Sequence, residues 1–361
     1  MKFVFICGSL ETGKDGVGDY SRRLAGELIR KGHQASIIAI NDRNINVFVK
    51  EMQMDEGTAV NTIRIPSDLT WKEKIKHTQE WVNNEKPNWV SLQYVPHSFD
   101  LKGLPFAFIY AVSKLKGNFN WHIMFHELWV QEKNLKRFIL RKNQQAIILL
   151  INKLINIKLK HTHLPIYQKR LKKLNIISYP LPLFSNIECV DDNFIPNDKY
   201  FTIGFFSQIE EKIEIINTIN KIQNIIKEKI KILLIGGNPS KMSSFKNYIL
   251  KNFKNIEIET TSFLLNKDIS KYIKLCNIAI TPVEKHLLGK SGTVAAFLTH
   301  NVPIIAPIEQ KKYNTINGFF NEKINDMIID IYKISLNNKN NNNYSILLSS
   351  VCEKFINDLN E

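Results

Sequence analysis

Phe3–Cys7 is an unbroken apolar run that stops at Gly8. A glycine-rich loop follows, Gly13-Lys14-Asp15-Gly16-Val17-Gly18, and then an amphipathic segment, Tyr20–Lys31, with Leu24, Leu28 and Ile29 at helical spacing. Gly32 closes that segment, and Ala35–Ile40 is a second apolar run. A strand with no polar alternation is buried on both faces, which is the habit of a parallel sheet. Parallel neighbours cannot be joined by a hairpin and need a crossover, usually a helix. The opening therefore restricts the chain to a doubly wound α/β architecture.

The same alternation continues. Trp89–Gln93 and His122–His126 read as buried strands with polar ends, Ala146–Ile157 as a helix, and Thr162–Tyr167 and Ile176–Pro182 as the last elements of a first half. A second half starts near Tyr200. Its strands are expected at Phe201–Phe206, Lys231–Ile235, Ile256–Thr260, Ile278–Thr281 and Pro303–Ala306, and its helices at Ile213–Ile226, Asp268–Leu275 and Thr293–Leu298. The Asp-, Asn- and Pro-rich stretch Val190–Lys199 reads as the linker, the run Asn337–Asn343 as a solvated loop, and Tyr344–Leu359 as a closing amphipathic helix. The expected domains are 1–189, 190–343 and a terminal helix over 344–361, and a length of 361 residues suits two domains.

Charge separates the halves further. The net charge is +15, which favours anionic partners, although a compositional bias to Lys, Ile and Asn produces the same surplus. That bias does not remove every acid from a stretch, yet residues 133–187 contain no Asp or Glu. Basic residues there alternate with Phe138, Ile139, Leu140 and Leu171, a pattern suited to peripheral contact with an anionic membrane through residues 133–173. A solvated helix face explains it equally well. The four cysteines form no CxxC pair and read as reduced core thiols. The N-terminal apolar run is too short for a signal peptide, and the run Phe106–Val112 is far below membrane-spanning length, so a cytoplasmic protein is expected. No nucleic-acid motif accompanies the charge.

Two loops invite a phosphate. Gly8-Ser9-Leu10-Glu11-Thr12-Gly13-Lys14-Asp15 nearly matches GxxxxGK[ST], but Asp15 puts a carboxylate where the motif needs a metal-binding hydroxyl and where phosphate would lie. The glycine spacing does not fit a dinucleotide fingerprint either, and only Asn41-Asp42 could be forced into the ribose-binding role. The second loop is Lys290-Ser291-Gly292-Thr293, which runs into a small-residue helix just before Asn301–Ala306. A helix beginning there points free N–H groups and a positive dipole end at whatever precedes it. Without a ligand, the same turn is an ordinary helix capped by Ser291.

An ordered series of segments resembles the family 4 glycosyltransferases. Gly16-Val17-Gly18-Asp19-Tyr20, then Leu24-Ala25 and Leu28, then Gly32-His33, is similar to the family's opening loop, helix and Gly-His. His126-Glu127, the segment Pro182–Ile187, Gly204-Phe205-Phe206-Ser207-Gln208 with Glu211-Lys212, the pair Gly236-Gly237, and Ala279–Glu284 resemble later family segments in the right order. The resemblance spans about residues 1–310. It implies a GT-B fold of two facing Rossmann-like domains. It also implies a retaining, metal-independent transfer of sugar from a nucleotide-diphosphate donor to a glycan or lipid-linked glycan, with no cofactor and no covalent enzyme intermediate.

On this resemblance the donor diphosphate falls to Ser207, Gln208, Lys212, Gly236, Gly237, Lys290, Ser291, Gly292 and Thr293. His126 lies at the donor sugar, Glu284 holds sugar hydroxyls, and Gly16–Tyr20 form an acceptor-side loop. The chain also departs from the family. Gln208 stands where an Arg is usual, and Ala296 where the second of two glutamates is usual. Glu284 lies about four residues too far upstream to be the first, and Lys290–Thr293 looks like the Ser-Gly variant of that stretch. The losses also suit a catalytically inactive relative that acts as a binding partner.

Overall fold

A computed structural model describes residues 1–131, 134–190, 199–261, 264–331 and 347–361. Its strands form two sheets. The first contains β1 (Lys2–Cys7), β2 (Gln34–Asp42), β3 (Val49–Asp55), β4 (Thr58–Pro66), β5 (Trp89–Tyr94), β6 (Asn120–Phe125), β7 (Ile157–Thr162) and β8 (Tyr179–Pro180), in the order β3-β4-β2-β1-β5-β6-β7-β8. Every pairing is parallel except the antiparallel β3–β4 hairpin. The second sheet is wholly parallel: β9 (Tyr200–Phe206), β10 (Lys229–Ile235), β11 (Glu257–Thr260), β12 (Ile278–Ile280) and β13 (Ile304–Ile305), in the order β11-β10-β9-β12-β13.

Both sheets grow outward from their first strand and then reverse, between β1 and β5 and between β9 and β12. At such a reversal the connecting helices leave on opposite faces, which opens a crevice beyond the carboxyl ends of the strands. The second sheet has apolar layers on both faces. Phe201, Ile203 and Phe205 pack with Ile215, Ile219 and Phe245 in one cluster, while Leu233, Ile235 and Ala279 pack with Ile273, Val294 and Phe297 in another. Two-sided burial is why these strands read as continuous apolar runs.

Several elements differ from expectation. The hairpin β3–β4 was not anticipated; its turn places Glu56 and Gly57 at φ 46° and 77°, the left-handed geometry of a tight hairpin. Nor were two helices, Trp71–Glu85, started by a capping box between Thr70 and Glu73, and Pro239–Asn252, capped by Asn238 with Pro239 at its first position. The expected helix Ala146–Ile157 is a longer one, Leu135–Leu154, and Ile157 begins β7 instead.

The chain divides into two compact units: Met1–His163 with Tyr167–Leu181 and Leu348–Glu361, and Leu164–Ile166 with Pro182–Leu347. The second therefore takes up the chain at Pro182, ahead of residue 190. The reason is packing: Ile187 sits in the second unit's core, and the Val190 N–H donates to Ser270 Oγ at 3.0 Å. The closing helix, Leu348–Asn360, belongs to the first unit rather than standing alone. Its Phe355 ring lies 5.8 Å from Phe3, 6.2 Å from Phe5 and 5.1 Å from His122. Residues 191–198 of the expected linker, the Asn337–Asn343 loop, residues 344–346 of the expected helix, and Lys133 lie outside the described residues.

Candidate functional site

The helix Gly16–Arg30 follows β1 at the first sheet's reversal. Its cap is Asp15, whose carboxylate accepts from Val17 N at 3.0 Å and Gly18 N at 2.8 Å. A carboxylate thus fills the place a phosphate would take. Gly16–Tyr20, expected as a loop, are the first turn of this helix, because Asp15 starts it four residues earlier than the apolar spacing alone suggests. Gly18 is needed for packing: a Cβ there would lie 2.3 Å from the Ser9 carbonyl oxygen, whereas one on Gly16 meets nothing within 4 Å. Asp19 binds Arg22 and the Gly13 N–H.

Asp42, at the end of β2, is fully buried and accepts from Ser9 Oγ, Leu10 N and Arg64 Nε at 2.9, 3.1 and 2.8 Å. Burial pushes its carboxyl up, but hydrogen bonds from Arg64, Asn44, Leu10 and Ser9 outweigh this and hold it below its ordinary value. It is an anchor for the Ser9–Glu11 loop, with every lone pair directed at protein.

His126 follows β6 directly and is buried. Its Nε2 meets Gln93 Oε1 at 2.9 Å, its Nδ1 meets His163 Nε2 at 3.1 Å, and the Tyr20 ring stands edge-on 4.8 Å away. Burial, reinforced by the neighbouring His163, drives its pKa well below that of a free histidine. With both nitrogens engaged by protein, His126 reaches a ligand through a ring nitrogen only if Gln93 or His163 gives way.

The remaining expected residues all lie in the second unit, most of them around its sheet reversal. β9 ends at Phe206, and Ser207 turns the chain with φ +57° while its N–H donates to the Ile235 carbonyl at 3.0 Å. Next to it, β10 ends in Gly236 (φ +55°) and Gly237 (φ +106°). A Cβ on Gly237 would stand 3.1 Å from the Ser207 carbonyl oxygen, so two strand ends with left-handed backbone abut here.

Gln208 then reaches the second loop. Its Oε1 lies 3.5 Å from Ser291 Oγ and 3.4 Å from Thr293 Oγ1, and those hydroxyls are 3.0 Å apart. Ser291 caps the helix Gly292–Thr299, taking the Val294 N–H on its side chain and the Ala295 N–H on its carbonyl. The amides of Gly292 and Thr293 thus face what lies before the helix. Gly292 is exposed, and a Cβ added there would meet nothing within 4 Å. Lys290 ends the preceding 3₁₀ turn Lys285–Lys290.

Lys212 occupies the N-cap of the helix Ile213–Ile225 but makes no side-chain cap bond; its ammonium pairs with Glu210 at 2.7 Å. Glu284 is held elsewhere: Gln310 Nε2 donates to its Oε1 at 2.6 Å, and its Oε2 lies 3.6 Å from His286 Nε2. The structure thus joins Ser207 to Gly237 and Gln208 to Ser291 and Thr293, while the side-chain partners of Lys212 and Glu284 are Glu210, and Gln310 with His286.

Sequence reasoning picked out His126 alone, yet His122, His161 and His163 are linked to it. Ser91 and Gln93 on β5, His122 and His126 on and after β6, and His161 and His163 on and after β7 all recur at even spacing. Period-two placement of buried polar residues along three adjacent strands was the available signal.

No protein-family model matches the chain, and no curated protein matches it in sequence. Solved structures match its fold along the whole length. The UDP-GlcNAc 2-epimerase of Methanocaldococcus jannaschii is 15% identical, with a TM-score of 0.56 over 100% of this chain and 99% of its own. Anabaena HepE, solved with UDP and glucose, is 10% identical, with a TM-score of 0.61 over 100% and 99%. The catalytic domain of starch synthase IV from Arabidopsis thaliana, solved with ADP and acarbose, is 11% identical, with a TM-score of 0.56 over 100% and 99%. The fold is the GT-B fold, two Rossmann-like α/β domains with a C-terminal helix.

Proposed function

We propose that this protein is a glycosyltransferase that moves a sugar from a nucleotide-diphosphate donor to a glycan or lipid-linked glycan. The observation that carries this reading is the reversal of the second sheet. Two helices start there, behind Lys212 and Ser291, and neither is capped by a carboxylate. Gly236 and Gly237 leave the neighbouring strand end without side chains, beside the left-handed Ser207. Such a surface suits a diphosphate, and two of the fold neighbours were solved with UDP or ADP.

In this reading the diphosphate lies against the Gly292 and Thr293 amides, with Lys290, Lys212, Ser207 and Gln208 around it. As the bond from the anomeric carbon to the diphosphate breaks, the leaving group gathers negative charge. Oriented amides, the helix dipole and the ammonium groups stabilise that charge without needing a metal. His126 orients the donor sugar, Glu284 holds its hydroxyls, and configuration is retained.

The helix Leu135–Leu154 supports the membrane part of the proposal. Leu135, Phe138, Ile139, Leu149 and Leu154 are exposed on it among Lys136, Arg137, Arg141, Lys142 and Lys153. This combination suits a peripheral contact with an anionic leaflet that brings a lipid-linked acceptor within reach. Among the described residues no helix is long and apolar enough to cross a membrane.

Gln208 and Ala296, in place of the usual Arg and Glu, favour a second reading, a donor-binding subunit without activity. Thermal shift against a panel of nucleotide sugars and free nucleoside diphosphates tests both. A true donor raises Tm with concentration, by about 2.7 kcal/mol of stability at a hundred times Kd. No shift with any of them removes the donor site. A shift followed by release of nucleoside diphosphate only when an acceptor glycan is added identifies the transferase, and a shift without turnover identifies the binding subunit.

A further inference from the structure

The buried histidines of the first unit belong to one continuous hydrogen-bonded chain. It starts at Asp358 on the closing helix, whose Oδ2 lies 3.0 Å from His161 Nε2. His161 Nδ1 then meets His122 Nε2 at 3.0 Å, and His122 Nδ1 meets Ser91 Oγ at 2.7 Å. Gln93 Nε2 donates to Ser91 Oγ at 2.7 Å, and Gln93 Oε1 meets His126 Nε2 at 2.9 Å. His126 Nδ1 meets His163 Nε2 at 3.1 Å, and His163 Nδ1 ends the chain on the Leu181 carbonyl oxygen at 2.9 Å. The four histidines are all buried, and within each pair the nitrogens point at one another.

Both ends of this chain are acceptors, a carboxylate and a carbonyl. Seven links join them through six groups, His161, His122, Ser91, Gln93, His126 and His163. Each of the six, when neutral, brings one proton to the links along the chain and accepts one. Six protons cannot fill seven links. Turning the Gln93 amide over moves the shortfall from the His126 half to the His161 half but does not remove it. Every link is made only when one histidine is an imidazolium, and the Asp358 carboxylate balances that charge.

We propose that this chain is a single-proton relay, loaded at Asp358, that sets the charge and the donor–acceptor sense of His126, with Asp358 as its positioning residue. Asp358 lines an open cavity of about 590 Å³ beside Met1, Trp89, Asn120 and Lys158, at the edge where β1, β5, β6 and β7 begin. His126 lies at the opposite edge, so the chain conducts along the strands, which rise about 3.3 Å per residue. The charged and titratable groups facing it are Lys354, 2.8 Å from Asp358 on the same helix, and Tyr20, from the helix Gly16–Arg30, against His126 and His163. Burial lowers His122 and His126 strongly; it lowers His161 as well, but there Asp358 opposes it. With the Gln93 amide donating to Ser91, neutral groups fill every link from Asp358 to His126, and the extra proton belongs to His163, between His126 and the Leu181 carbonyl. The relay does not rest on the glycosyl-transfer reading, and its test reads nitrogens rather than turnover.

The experiment is imidazole ¹⁵N–¹H NMR on the full chain labelled at histidine. In the wild-type protein at pH 7 one of His122, His126, His161 and His163 should show two protonated nitrogens, and the other three should be neutral with tautomers ordered along the chain. Asp358→Asn lets a carboxamide donate to His161, so the seventh proton is supplied and the imidazolium should vanish, with the tautomer of His126 reversed. In a Gln93→Met background the same Asp358 substitution should leave His126 unmoved. Four neutral histidines in the wild type overturn the proposal without any variant. An imidazolium indifferent to Asp358→Asn, or a response of His126 that survives Gln93→Met, overturns it too.

Discussion

The two units solve one structural problem in opposite ways. In each, the helix after the sheet's first strand begins at the reversal of strand order and presents orphan N–H groups. The first unit closes that end with the Asp15 carboxylate, bonded to two of the amides. The second places Lys212 there, a cation at the positive end of a helix, with no side-chain cap. A neighbouring helix starts behind the neutral Ser291. The same helix start is thus capped by a carboxylate in one unit and carries a lysine paired with Glu210 in the other, and the difference rests on single cap residues.

The sharpest way to break this contrast is to give the second unit the first unit's cap. Lys212→Asp should stabilise its helix by about 1 kcal/mol, as a good N-cap does, while lowering sugar-transfer turnover by about 10²–10³-fold, the scale of losing one preorganised charge contact. Rates with the best donor from the thermal-shift panel, read beside urea midpoints, check this, and unchanged turnover would take Lys212 out of the site. Gly18→Ala comes next. Its methyl meets the Ser9 carbonyl oxygen, so overpacking should cost about 1–3 kcal/mol by chemical denaturation. A neutral result would mean the helix start can shift away from the loop.

The smallest effect is expected from Asp15→Asn, which keeps the cap and removes the titration. Burial raises the Asp15 carboxyl above its ordinary value, against the N–H bonds of Gly18 and Val17 that lower it. A raised folded-state value means its stabilising contribution is full below the unfolded pKa, near 3.9, and fades as pH rises through the folded pKa. The variant should therefore gain on the wild type across that window and not below it, by less than about 1 kcal/mol. Asp42, lowered by its partners, contributes in the opposite sense: its stabilisation is present above the ordinary carboxylate range and is lost as pH falls.

Most central strands were legible because burial on both faces writes them as apolar runs, β1, β5, β9 and β10 above all. β3 was not, because it lies at the sheet edge and Lys50, Met52 and Met54 stay exposed along it. The Lys290–Thr293 turn was visible through its local chemistry. The histidine chain was not, since five of its seven links join residues 31 to 197 positions apart, and strand pairing and the return of the closing helix bring them together. The placement of Pro182–Val190 in the second unit was likewise decided by the burial of Ile187 and a bond to Ser270, which no local pattern announces.

The return of Leu348–Asn360 to the first unit has a consequence for the order of biosynthesis. Phe3 and Phe5 emerge from the ribosome before the second unit, but Phe355, the ring that packs against them, emerges only after it. At about 5–20 residues per second that interval is on the order of ten seconds or more. Throughout it the nascent first sheet holds an uncovered aromatic patch, and His161 waits for the carboxylate of Asp358. The first unit to be made is the last to be finished.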